Sequence, residues 1–89
     1  MPEISLTVQH KTGLHARPAA MFVQTANKFK SVIKVKHGEK EANAKSIMGI
    51  LTLGAGQGAV ISIRAEGDDA EQALMALRTL VESNFGEQP

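Results

Sequence analysis

The chain has 89 residues, 43% hydrophobic and 21% charged, with a formal net charge of +1. That size and balance set the expectation of a single small globular domain, residues 1–89, and argue against a disordered chain. They also argue against a polybasic nucleic-acid binder, because there is no basic excess and only three Phe to stack on bases.

Residues 3–9 alternate, with Ile4, Leu6 and Val8 on one face and Ser5 and Thr7 on the other, which reads as a half-buried strand. Lys11-Thr12-Gly13 breaks the pattern. Over residues 16–29 the period becomes helical, through Ala19, Phe22, Val23, Ala26 and Phe29. Pro18 falls in the first turn, where a missing N–H removes no helical bond, so the helix is expected to begin near His15 or Ala16. Alternation returns over residues 32–36, His37-Gly38 marks a turn, and residues 39–43 suit a polar return strand.

Ser46 is well placed to cap a short helix carrying Ile47, Met48, Ile50 and Leu51. Three glycines, Gly54, Gly56 and Gly58, then interrupt the chain before a strand over residues 60–65. Asp69, with Gln72 three positions on, fits the cap of a last helix whose apolar stripe is Ala70, Ala73, Leu74, Leu77 and Val81. Gly86 suits its end. One-faced helices and a one-faced sheet bury each other best in two layers, so the order β-α-β-β-α-β-α points to an α+β open sandwich.

The chain has no cysteine, which excludes disulfides, thiolate chemistry and Cys-ligated zinc. No basic-then-apolar leader is read at its start, and no run approaches the roughly 18 apolar residues of a membrane span. The expectation is a cytoplasmic protein without membrane insertion. His10 and His15 lack the further ligands of a zinc site, so no metal is expected. His10 and His37 read as surface residues.

The stretch "GLHARPAA", residues 13–20, sets an imidazole and a guanidinium where the first helix begins. Neutral imidazole, with an ordinary pKa near 6.5, is a nucleophile at about neutral pH. Attack on phosphorus gives a phosphoramidate that stays reactive, because imidazole leaves readily. Free N–H groups at a helix start carry roughly half a positive charge and bind anions. Arg17 can add a guanidinium matched to phosphate oxygens. Gly13 allows the tight turn that presents the ring outward. A lone histidine near a helix start is more often a plain surface or capping residue, and the residues alone leave both readings open.

"GLHARPAA" resembles the active-site motif of the HPr family, the histidine-containing phosphocarriers of the bacterial phosphoenolpyruvate:sugar phosphotransferase system. "KSIMGIL", residues 45–51, looks like that family's regulatory-serine region, and "EGDDAEQAL" like its approach to the last helix. The resemblance runs through the whole chain. It implies an open-faced β-sandwich, a four-stranded antiparallel sheet with three helices on one face.

It further implies that His15 is phosphorylated on its pros nitrogen, Nδ1, by phospho-enzyme I and passes the group to enzyme IIA components of sugar permeases. Arg17 would stabilise the phosphoryl group, the backbone N–H groups of Ala16 and Arg17 would complete the anion site, and Pro18 would fix the start of the helix. No cofactor is implied. The chain would be a monomeric carrier rather than a self-sufficient enzyme.

By the same resemblance Ser46 is the serine that an HPr kinase/phosphorylase modifies, with a catabolite-control transcription regulator as a further partner. Thr12, Ile47, Met48 and Leu51 resemble the partner-docking patch, with Ile47 and Met48 expected to be exposed. Gln24, Asn27 and Gly49 stand where many relatives carry basic residues, which weakens attraction to an acidic partner unless Lys11, Lys28 or Lys45 compensates. Competing readings are a purely regulatory relative, though such relatives lack the histidine present here, and a nitrogen-branch phosphocarrier. Without the resemblance, a small ligand-binding βαββαβ module also fits the element order.

Overall fold

The computed structural model describes residues 2–87. Met1, Gln88 and Pro89, which the expected domain includes, lie outside the described residues. The elements follow in the order β1 (Glu3–Thr7), α1 (Ala16–Ala26), β2 (Val32–His37), β3 (Lys40–Asn43), α2 (Ile47–Thr52), β4 (Val60–Glu66) and α3 (Ala70–Glu82). A short 3₁₀ turn, Asn84–Gly86, follows α3.

The strands form one antiparallel sheet in the order β1-β4-β2-β3. Its register explains the alternation in the sequence. Ile4 stands opposite Ile63, Ile63 opposite Val35, and Val35 opposite Ala42, so one apolar row crosses all four strands. Leu6 pairs with Ile61, and Ala65 with Ile33, in neighbouring rows. Because side chains alternate across a pleat, Ser5, Lys34, Lys36, Ser62 and Arg64 fall on the opposite face. That face carries an exposed ion pair, Arg64 to Glu41 at 2.7 Å, of small energetic weight.

All three α-helices close over the apolar face. α3 packs on β1 and β4, α2 packs on β3, and α1 packs against both other helices. The buried stripes are Pro18, Ala19, Phe22 and Ala26 on α1, Ile50 on α2, and Ala70, Ala73, Leu74, Leu77 and Val81 on α3. The stripe read for α3 from the sequence is therefore its core face. The architecture is the open-faced α+β sandwich expected, with three helices on one side.

The helix ends differ from expectation in three places. α3 stops at Glu82, short of Gly86, which instead ends the 3₁₀ turn with φ 74°. α1 stops at Ala26, short of Phe29, because the amides of Lys28 and Phe29 turn back to Thr25 and Ala26 at 3.1 and 3.2 Å. These bonds span three residues, so the last turn tightens and leaves the α-helix. Phe29 still packs against the core from that turn.

Asp69 precedes α3, but its carboxylate caps nothing on that helix. It accepts instead from the backbone N–H groups of Lys30 and Ser31 at 2.8 and 2.9 Å, and from the Ser31 hydroxyl. Three donors from the α1–β2 connection outcompete the helix end. Gly67 permits this approach, since a Cβ there would overlap the Ser31 side chain and backbone.

Candidate functional site

The first connection of the chain is built against the loop that follows α2. Val8 continues the β1 pairing past Thr7, accepting from Gly58 at 2.7 Å and donating to Ala59 at 2.8 Å. A turn closes from the Gly13 amide to the His10 carbonyl at 2.9 Å. Leu14 is buried, and its amide donates to the Ala55 carbonyl at 2.8 Å. Gly13 adopts φ +66°, and a Cβ there would overlap the Ala55 carbonyl and the Gly56 backbone. The glycine is thus required twice, for its backbone angle and for close approach.

These anchors deliver His15 to the start of α1. It occupies the N-cap position with extended backbone, φ −130° and ψ 164°, and its side chain caps nothing. The residue is exposed. Ala16 follows with φ +50°, a left-handed angle that costs a residue bearing a Cβ roughly 1–2 kcal/mol. Buried Pro18 and Ala19 hold the next turn in place, and the Ala19 amide reaches back to the His15 carbonyl at 3.4 Å. Such held left-handed residues concentrate at functional sites.

The electrostatics of this end are positive. The first helical turn carries no acidic residue, and no side-chain cap satisfies its amides. The N–H groups of Ala16 and Arg17 therefore lie open at the positive pole of α1. The Arg17 side chain is 70% exposed, with one guanidinium nitrogen 3.4 Å from Glu87 Oε2. An accessible imidazole, two open amides and a guanidinium now stand on three consecutive residues. Together they can receive a doubly charged group and let it leave again.

The second motif forms a separate structure. Ser46 caps α2, its hydroxyl oxygen accepting from the Gly49 amide at 3.1 Å. Ile47 and Met48 are 40% and 68% exposed, as expected, whereas Ile50 is buried and Leu51 packs against the core. α1 and α2 touch, so the apolar pair projects from the helix packed beside α1. Thr12 is exposed, but its hydroxyl lies 2.9 Å from His10 Nδ1.

Among the lysines expected to compensate for missing basic residues, Lys45 donates to the Phe29 carbonyl at 2.6 Å. Its charge is committed to the end of the first helical segment. Lys11 and Lys28 remain exposed.

His10 is not a surface residue: it is 5% exposed. Both of its ring nitrogens are engaged, Nδ1 by Thr12 and Nε2 by Glu87 Oε1 at 2.9 Å, and its ring meets Phe85 edge-on. Burial is tolerable because every polar atom of the ring has a partner. His37 is half-buried and donates from Nδ1 to the Leu53 carbonyl at 2.8 Å, holding the end of α2.

Sequence reasoning also passed over two supports of the site. The Gly-rich 54–58 segment read as an interruption, yet Ala55 and Gly56 form the bed under the His15 loop. Glu87 gave no local signal, being 70 residues beyond the arginine it meets.

The comparisons with known proteins point the same way. The family model described as the PTS HPr component phosphorylation site matches residues 2–83. A relative from Xylella fastidiosa named phosphocarrier protein HPr is 48% identical over 87 residues, 98% of each chain. An HPr-like protein Crh from Halalkalibacterium halodurans is 48% identical over 92% of this chain and 98% of its own. The crystal structure of an HPr from Thermoanaerobacter tengcongensis superposes over 100% of both chains, with a TM-score of 0.98 and 57% identity. With the fold, the matched segment and these relatives in agreement, the chain belongs to the HPr family of phosphocarrier proteins.

Proposed function

We propose that this chain, acting as one HPr domain, relays phosphoryl groups in a sugar phosphotransferase system. It takes the group from phosphorylated enzyme I and gives it to enzyme IIA components of sugar permeases. The observation that carries this reading is His15 itself: an exposed, uncapped imidazole beside open amides at the positive end of α1.

In the transfer, the lone pair of His15 Nδ1 forms a bond to phosphorus while the bond from phosphorus to the donor breaks, its electron pair leaving with the donor. The second transfer reverses these roles, with the imidazole as leaving group. Little covalent work falls to the protein, so positioning and charge dominate. The amides of Ala16 and Arg17 and the Arg17 guanidinium bind the phosphoryl oxygens. No cofactor enters either step. Among the described residues, no helix is long and apolar enough to cross a membrane, and a cytoplasmic site of action fits the proposed partners.

Docking falls to Thr12, Ile47, Met48 and Leu51. The exposed Met48 offers an adaptable apolar contact beside the charged site. Ser46 adds regulation through an HPr kinase/phosphorylase. A phosphate at its hydroxyl is compatible with a helix start but sets negative charge within the docking face. The similarity to a protein named Crh favours one second reading, in which regulation through Ser46 and a catabolite-control regulator is the main task.

Incubation with phosphoenolpyruvate and enzyme I, followed by mass measurement, tests the relay. The expected product carries one phosphoryl group, lost in acid and absent from His15→Ala. A chain that stays unlabelled, or a variant labelled as well as wild type, rejects the proposal. Acid-stable labelling on Ser46 alone would favour the regulatory reading.

A further inference from the structure

His10 is a buried imidazole that the transfer chemistry does not use, and its hydrogen bonds assign its proton. The Thr12 backbone N–H points at Nδ1 from 3.2 Å, and an amide N–H can only donate. Nδ1 therefore presents its lone pair, and the ring carries its hydrogen on Nε2. That N–H donates to Glu87 Oε1 at 2.9 Å. Phe85, fully buried, steadies the ring at a centroid distance of 6.0 Å and an interplanar angle of 82°.

Glu87 is delivered to this point by the 3₁₀ turn after α3. Its amide donates to the Asn84 carbonyl at 3.0 Å, and Asn84 and Phe85 both take left-handed angles, φ 57° and 58°. Its second carboxylate oxygen, Oε2, lies 3.4 Å from the Arg17 guanidinium. The carboxyl is held below its ordinary range, first by the His10 hydrogen bond, with burial opposing, and then by the nearby charges of Arg17 and Lys11. A chain of contacts thus runs from Thr12 through His10 and Glu87 to Arg17.

Building on the phosphocarrier reading, we propose that His10 is a positioning residue for phosphoryl transfer, fixing Glu87 as a carboxylate that occupies Arg17 until a phosphoryl group displaces it. An exposed arginine left alone samples many rotamers, and Glu87 keeps its guanidinium at the first turn of α1. The 3.4 Å contact is loose enough to exchange. Once His15 is phosphorylated, the phosphoryl oxygens and Glu87 compete for one guanidinium. The hold of His10 on Glu87 consequently lowers the stability of the phosphorylated form, which favours onward transfer. By linkage, weakening that hold shifts the equilibrium toward phospho-His15.

The test is the phosphoryl equilibrium between this chain and enzyme I at a fixed phosphoenolpyruvate-to-pyruvate ratio, read by mass or by phosphorus NMR. Glu87→Gln and His10→Phe are each expected to raise the phosphorylated-to-free ratio by roughly two- to fivefold, the range of an exposed ion pair. His10→Gln keeps a donor for Glu87 and an acceptor for Thr12, and should hold the wild-type ratio. His10→Phe should add nothing in a Glu87→Gln background, a non-additivity that general loosening would not produce.

Nitrogen NMR of the unphosphorylated wild type supplies a readout independent of folding changes in the variants, with the His10 proton expected on Nε2. Wild type that takes no phosphoryl group removes the phosphocarrier reading and this proposal with it. A labelled wild type whose ratio Glu87→Gln leaves unchanged, or a His10 proton found on Nδ1, overturns the positioning role alone.

Discussion

The Leu14 amide donates to the Ala55 carbonyl at 2.8 Å, and through this bond the loop bearing His15 rests on the loop that follows α2. Gly13, one residue earlier, touches the same carbonyl so closely that no side chain fits. Gly13→Ala therefore meets both a left-handed angle and an overlap with backbone, neither of which can relax locally. We expect a loss of about 1–3 kcal/mol in urea unfolding. We also expect slower phosphorylation of His15, because the loop must move away from Ala55. An unchanged unfolding midpoint would show that the loop is not seated as described.

Asp69 links α3 to the start of β2, and its pKa bears on acid stability. Its carboxyl lies below the ordinary value of 3.8, first through the Ser31 hydroxyl and then through the Lys30 amide, with burial opposing. A folded value depressed below the unfolded one favours the folded state wherever the group is ionised in both. That contribution is whole above 3.8 and is lost as pH falls through the lower, folded value. Asp69→Asn should lower the Tm at about pH 7, and its difference from wild type should shrink toward about pH 2. A difference that stays constant across that interval would contradict the assignment.

Ser46 caps α2, and substitution can separate that cap from the docking and regulatory role proposed for the same residue. Ser46→Ala removes the acceptor for the Gly49 amide and should cost about 1 kcal/mol of stability. Ser46→Asp retains a good capping acceptor, so its stability should stay close to wild type. Its added charge should nonetheless slow phosphorylation of His15 by enzyme I in stopped-flow measurements. Equal rates for the Asp variant and wild type would remove Ser46 from the docking face.

Met48 is 68% exposed, so its side chain contributes little to the core. Met48→Asp should change stability by less than about 0.5 kcal/mol, as surface substitutions usually do. Binding to enzyme I or an enzyme IIA, followed by calorimetry, should weaken at least severalfold. Unaltered affinity would place the docking surface elsewhere.

Much of this molecule follows from local pattern. Period-two alternation in β1, β2 and β4 and the helical stripe of α3 arise from burying one face of each element, and the observed register preserves every one of them. His15, Arg17 and the uncapped start of α1 are also legible, because they lie on consecutive residues and a helix terminus is a local property of the chain. The cap of α2 by Ser46 is equally local.

What the tertiary structure decided depends on partners distant in sequence. Asp69 resembles a helix cap, yet it serves Lys30 and Ser31 because three donors arrive from another element. His10 resembles a surface residue between polar neighbours, but Phe85 and Glu87 return from the far end of the chain to enclose it. Hydrophobic periodicity records which face an element buries. It carries no record of which polar group will be waiting there, because a hydrogen bond needs only two atoms to meet and leaves no repeating mark in the sequence.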